Sequence, residues 1–222
     1  MCGRIVQKSG PMDYVERIFP NQHQIFTDPV GPRYNVPPGT RPLTIHRLAE
    51  GALDVGRLPW GYKRPDFPHF MSNAKLETIR RNGFPWRAMV TRGRILVPAD
   101  GWYEWATRED GTKQPYYIYP IDGLPLMLAA ISAWAPGADM DAAHGFAIVT
   151  NDVKGGMVDV HDRRPVALPP DLAAEWVDPK TDMVRAREIL AAGLPESAFT
   201  WHAVKQEVGN SKYQLPDAID PI

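Results

Sequence analysis

Short β-branched or aromatic runs, each closed off by Gly, Pro or Asp, recur along the chain: CGRIVQ (2–7), PLTIHRL (42–48), RILVPADGWYEW (94–105), QPYYIYP (114–120), PLMLAAISAW (125–134), HGFAIVT (144–150) and FTWHAV (199–204). Each predicts a strand, because branched and aromatic side chains pack well on a pleated surface while the bounding residues turn the chain. Helical spacing of apolar positions is clearest in NAKLETIRRN (73–82), PDLAAEWV (170–177) and DMVRAREILAAG (182–193). Strands outnumber helices and do not alternate with them. The pattern predicts a single α+β domain built on a mostly antiparallel mixed sheet or barrel-like core with flanking helices.

Composition narrows this further. The 222 residues are 44% hydrophobic and 23% charged, enough to bury a core of ordinary size. The 23 prolines are scattered as turn punctuation, and nothing long enough to be a linker interrupts the chain. The longest apolar run, LPLMLAAISAWA, is shorter than the roughly 18 residues that suggest a span, and the first fifteen residues lack a signal-peptide core, so a cytoplasmic protein without a membrane partner is expected. A single cysteine excludes an internal disulfide framework. The six histidines show no HExxH or close paired spacing, so neither a metal nor another cofactor is expected. The net charge of −1 argues against coating nucleic acid through the overall field but permits a local basic patch.

Four stretches place polar residues amid structural signals. In GWYEW, if extended, Trp102 and Glu104 share one face and Tyr103 and Trp105 the other. Glu104 then enters a core between indoles, where desolvation raises its pKa toward neutrality and suits it to acid–base work; the plain alternative is a partly exposed glutamate at a sheet end. In SNAKLET, Asn73 stands where a helix N-cap is expected, with Glu77 favourable in the first turns; the sharper reading is a helix start that faces an anion, strengthened by Lys75. In VDVHDRRPV, His161 precedes two arginines: either a buried or capping histidine, or a proton carrier beside guanidinium groups that hold an oxyanion. RYNVPPG reads as an ordered loop. The lone cysteine is residue 2, and removal of Met1 would give it a free α-amine next to its thiol.

Taken in order, MCGR, RYNVPPG, WGY, NAKLET, RILVPADGWYEW, KQPYYIY and VHDRRP resemble the SOS response-associated peptidase family, also called abasic-site processing proteins, from Cys2 to about Val208. The resemblance implies a DNA-damage protein that binds single-stranded DNA containing an abasic site and links its N-terminal cysteine to the sugar aldehyde as a thiazolidine. It also implies autoproteolytic release of whatever precedes the cysteine. By similarity Cys2, Asn73, Glu104 and His161 form the reactive set: Glu104 moves protons, His161 assists opening of the sugar hemiacetal, and Asn73 orients the sugar or the Cys2 backbone. Arg4, Lys75 and Arg163 would meet phosphates, with Pro38 and Trp105 against neighbouring bases. Many members carry arginine where this chain has Lys75, and a tryptophan after the WG pair where Phe67 or Phe70 stands here. A monomer suits a protein linked to one lesion. Two rival readings are a non-covalent reader of modified DNA and an N-terminal-nucleophile cysteine amidohydrolase.

Overall fold

Every residue of β6 (Arg94–Ala99) and of β9 (Leu126–Ser132) is buried. A strand is buried along its whole length only when both faces of its sheet are covered. Ile95, Val97, Leu128 and Ala130 point into one apolar cluster, and Leu96, Met127, Ala129 and Ile131 into another, as the two-residue period of a strand requires. The computed structural model from which this follows describes residues 2–20, 31–49, 51–64, 69–139, 141–153, 155, 157 and 160–222.

The described strands form two open sheets that do not close into a barrel. The smaller has five strands in the order β13 (Phe199–Ala203), β8 (Lys113–Pro120), β7 (Gly101–Thr107), β1 (Ile5–Gln7) and β2 (Arg33–Val36). The larger runs β11 (Arg163–Pro165), β10 (Phe146–Asp152), β9, β6, β3 (Leu43–His46) and β4 (Asp54–Arg57). In it β12 (Ala167–Leu168) also pairs with β9, and β5 (Asn73–Lys75) lies parallel to β10. Pairing is otherwise antiparallel between the named strands, as expected. The sheets face each other across a core that includes Ile5, Val36, Trp102 and Ile118 from one and Ile95, Val97, Phe146 and Ile148 from the other.

Helices cover the far face of the larger sheet: α1 (Pro11–Ile18), α2 (Leu76–Arg80), α3 (Trp86–Arg92), α4 (Pro170–Trp176) and α5 (Met183–Ala191) contribute Tyr14, Leu76, Met89, Trp176 and Ile189 to a second core. The far face of the smaller sheet is covered by the C-terminal segment, where Val208 and Ala218 pack on Tyr103 and Tyr117. Among the described residues, no helix is long and apolar enough to cross a membrane.

Two local departures from the sequence reading matter for the site. RILVPADGWYEW is two strands, broken at Asp100, where the chain leaves one sheet for the other. The Asp100 carboxylate fixes that corner by accepting from the backbone N–H of Lys8 (2.7 Å) and Ser9 (3.1 Å), the Ser9 hydroxyl and the Tyr14 hydroxyl (2.6 Å). The second departure corrects the helix start. Asn73 is not an N-cap: residues 73–75 pair with Ile148, Val149 and Thr150, and α2 begins at Leu76 after Lys75, without a side-chain cap. The ladder with β10 satisfies the backbone there, which frees the Asn73 side chain for other work.

Candidate functional site

Cys2, Asn73, Glu104 and His161, expected to act together, gather at one end of the core between the sheets. Ile5 pairs with Trp102, and the Tyr103 N–H donates to the Arg4 carbonyl at 3.0 Å, so the chain ahead of β1 runs antiparallel beside β7 toward Glu104. Cys2 is fully buried among Trp60, Trp102 and Phe146. From the opposite sheet, Asn73 Nδ2 donates to the Cys2 carbonyl and to Ser72 Oγ, both at 3.0 Å. Asn73 Oδ1 is buried with no hydrogen-bond partner among the described residues, an acceptor that faces the site unused.

Glu104 lies on the inner face of β7 with Trp102, as the alternation requires, and only 2% of it is exposed. Burial drives its carboxyl up to about 7. Burial, reinforced by the Glu104 charge, also pushes the Cys2 thiol far above its ordinary value, while the Arg4 backbone N–H opposes this by donating to the sulfur. The thiol therefore stays protonated until a base takes the proton.

His161 Nε2 stands 3.7 Å from Glu104 Oε2. Its Nδ1 has two close neighbours with opposite demands: the Arg163 backbone N–H at 3.0 Å needs a bare nitrogen, and the Asp162 carboxylate at 2.9 Å needs a protonated one. Burial lowers the imidazole pKa, which favours the neutral ring. The backbone donor then occupies Nδ1 and the ring proton sits on Nε2, facing Glu104. Protonation fills Nδ1 and adds the Asp162 contact, and the doubly protonated ring then holds Nε2–H toward Glu104.

The five residues expected at DNA are placed differently from one another. Lys75 is exposed at the start of α2, two residues from Asn73. Pro38 sits in the turn after β2, held against the site because Gly39 (φ +84°) donates its N–H to the Trp60 carbonyl at 2.8 Å. Arg4 reaches the opposite face of the smaller sheet, where it donates to Asn35 Oδ1 (2.8 Å) and to the Val208 (2.9 Å) and Gly209 (3.1 Å) carbonyls and lies 5.7 Å from the Trp105 ring centre. Trp105 is thus on the other side of β7 from Glu104. Arg163 is buried and fully engaged: it forks onto Glu77 (3.1 and 3.0 Å), reaches Asp152 (2.6 Å), and gives its remaining donors to Thr150.

Of the two phenylalanines, Phe67 lies outside the described residues, as does Met1. Phe70 packs its ring over Gly61, where a Cβ would stand 1.7 Å from it. The sequence reading missed Trp60, whose ring stacks on Phe146 (6.3 Å, 3°) at the floor of the site and whose Nε1 donates to the Ser72 carbonyl at 3.0 Å. Its signal was the WG pair, whose glycine has φ +122°.

A buried thiol, an amide that holds its backbone and a neighbouring carboxyl–imidazole pair make a candidate cysteine-centred site on a two-sheet α+β scaffold. The chain belongs to the SOS response associated peptidase (SRAP) family, whose model matches residues 1–211. It is 38% identical to the abasic site processing protein YedK of Escherichia coli K12 over the full length of both. It is 26% identical to the abasic site processing protein HMCES of Xenopus tropicalis, spanning all of this chain and 78% of that one. Among solved structures, a phage-related protein of Bordetella bronchiseptica superposes with a TM-score of 0.87 at 63% identity, over 97% of this chain and all of that one. A Bacteroides thetaiotaomicron protein shares the fold (TM-score 0.77) at 19% identity, covering all of both chains.

Proposed function

We propose that this protein captures abasic sites in single-stranded DNA by forming a thiazolidine between the sugar aldehyde and Cys2, once Met1 has been removed. The observation that carries the reading is the placement of Glu104, with a pKa of about 7, beside the Cys2 thiol and 3.7 Å from His161. The names of the relatives support the choice of lesion.

The sugar opens first. With His161 protonated on both nitrogens and Glu104 ionised, Nε2 gives its proton to the ring oxygen while the Glu104 carboxylate takes the hydroxyl proton, leaving the aldehyde, an uncharged carboxyl and a neutral imidazole whose proton is on Nδ1 toward Asp162. The Cys2 amine, whose ordinary pKa of about 7.7 to 8.0 leaves a neutral fraction at pH 7, adds to the aldehyde carbon. Glu104 then protonates the carbinolamine hydroxyl, water leaves, and an iminium remains. The thiol sulfur bonds to that carbon and its proton passes to Glu104, which restores the acid. One water is lost overall, and ring closure is intramolecular and fast for that reason. Because the iminium that promotes strand cleavage is consumed, the DNA backbone stays whole.

Asn73 holds the Cys2 carbonyl and offers Oδ1 to the amine or a sugar hydroxyl. Lys75, exposed two residues from Asn73, is assigned to a flanking phosphate in this reading. Arg4 and Arg163 have internal partners that a phosphate would replace, which for Arg163 exchanges one oxyanion for another. Contacts of this kind bind the backbone without reading sequence. The test is a denaturing gel: a heat-stable adduct should form with an oligonucleotide carrying one abasic site, and not with undamaged DNA or with Cys2→Ala. No adduct from protein shown to lack Met1 would refute the proposal.

A further inference from the structure

His161 sits on the segment joining β10 to β11, and the strand register does not reach it. A carboxylate from elsewhere in the fold does the holding. Glu196 opens the 3-10 turn Glu196–Ala198 that leads into β13. Its Oε1 accepts the Met157 N–H at 2.6 Å and its Oε2 the Gly155 N–H at 3.0 Å. Hydrogen bonds from backbone donors to a charged carboxylate are the strong kind. The carboxylate lies so close over Gly155 that a Cβ there would stand 2.7 Å from Oε1 and 2.9 Å from Oε2, so only glycine leaves room for the contact.

The clamp connects to the site through the backbone. The Met157 carbonyl accepts the N–H of Val160 (2.9 Å) and of His161 (3.0 Å), which turns the chain so that the imidazole faces Glu104. The Met157 and Val160 side chains are buried in the same core as Cys2, and the Asp162 carbonyl accepts the Val153 N–H at 2.9 Å to close the segment. Arg164, whose guanidinium feels the Glu196 charge, lies 5.5 Å from the centre of the Phe199 ring. We propose that Glu196 is a positioning residue that sets the imidazole of His161 against Glu104. As a role in lesion capture, this rests on the function proposed above.

The experiment combines kinetics with an observation that needs no DNA. Initial crosslinking rates are measured for the parent, Glu196→Ala, Glu196→Gln, Gly155→Ala and His161→Gln, and for Glu196→Ala combined with His161→Gln. In parallel, the His161 ring is titrated by NMR in the free parent and in Glu196→Ala. Glu196→Ala and Gly155→Ala should slow crosslinking roughly tenfold, since small misplacements of a catalytic group cost that much or more. Glu196→Gln, which keeps one acceptor oxygen, should recover part of the rate. In the His161→Gln background Glu196→Ala should change the rate by less than about twofold, because residues acting through one another are non-additive. The His161 titration should move in Glu196→Ala while those of His46 and His202 do not. An equal slowing in both backgrounds, or an unmoved His161 titration, would overturn the proposal. A parent that makes no adduct while Glu196→Ala still moves the His161 titration would refute the capture reading and leave the clamp standing.

Discussion

Replacing Glu104 by Gln removes a group that burial keeps from ionising, and the consequence is a change in how stability depends on pH. The carboxyl moves from an ordinary 4.5 to about 7, with burial the leading cause. At 1.36 kcal/mol per unit this is about 3 kcal/mol against the ionised form. Between those two values the folded chain holds a proton that the unfolded chain has given up, so stability falls as pH rises through that window and levels off above about 7. His161, with its pKa lowered, contributes in the opposite sense below its ordinary 6.5, and does so in both proteins. Urea unfolding of parent and Glu104→Gln at pH 5 and pH 8 isolates the carboxyl: the variant should gain about 2 to 3 kcal/mol on the parent across that interval. Parallel pH profiles would mean that Glu104 is ordinary and would remove the acid from the proposed relay.

Two further outcomes test the scaffold. Arg163→Ala leaves the half-exposed Glu77 and Asp152 without their shared cation and should lower stability by about 1 to 2 kcal/mol, read by thermal unfolding; a loss under about 0.5 kcal/mol would show the pairing to be ornamental. Asp100→Asn keeps the shape of the corner but turns an acceptor toward a set of four donors into a donor itself. It should cost about 2 kcal/mol in chemical unfolding, and an unchanged midpoint would contradict the account of how the chain passes between sheets.

Alternation along the chain made much of this legible. The strand runs are all present, and GWYEW divides as its period demands, with Trp102 and Glu104 inward and Tyr103 and Trp105 toward the C-terminal layer. What alternation cannot give is where a strand changes sheets. Asp100 looked like one more strand boundary residue, yet its carboxylate collects donors from α1 and from the loop that joins it to β1. NAKLET has helical spacing, but three of its residues are recruited by β10, a tertiary pairing that outweighs local propensity. α1 and α3 were missed because each is short and begins with a glycine or proline that reads equally well as a turn. The site residues were identifiable through family resemblance, not spacing, since they are drawn from most of the chain. Charge alone could not reveal that Arg4 and Arg163 have internal partners, because a sequence shows a cation without showing the carbonyls and carboxylates that hold it.

The central claim concerns one carbon atom bonded to both nitrogen and sulfur of Cys2, and the intact mass of the adduct tests it most directly. Protein incubated with an oligonucleotide bearing one abasic site should give a species equal to the Met1-free chain plus the whole oligonucleotide less one water, with no thiol left to alkylate. A species that retains Met1, carries a cleaved strand or still accepts an alkylating agent at Cys2 would contradict the account.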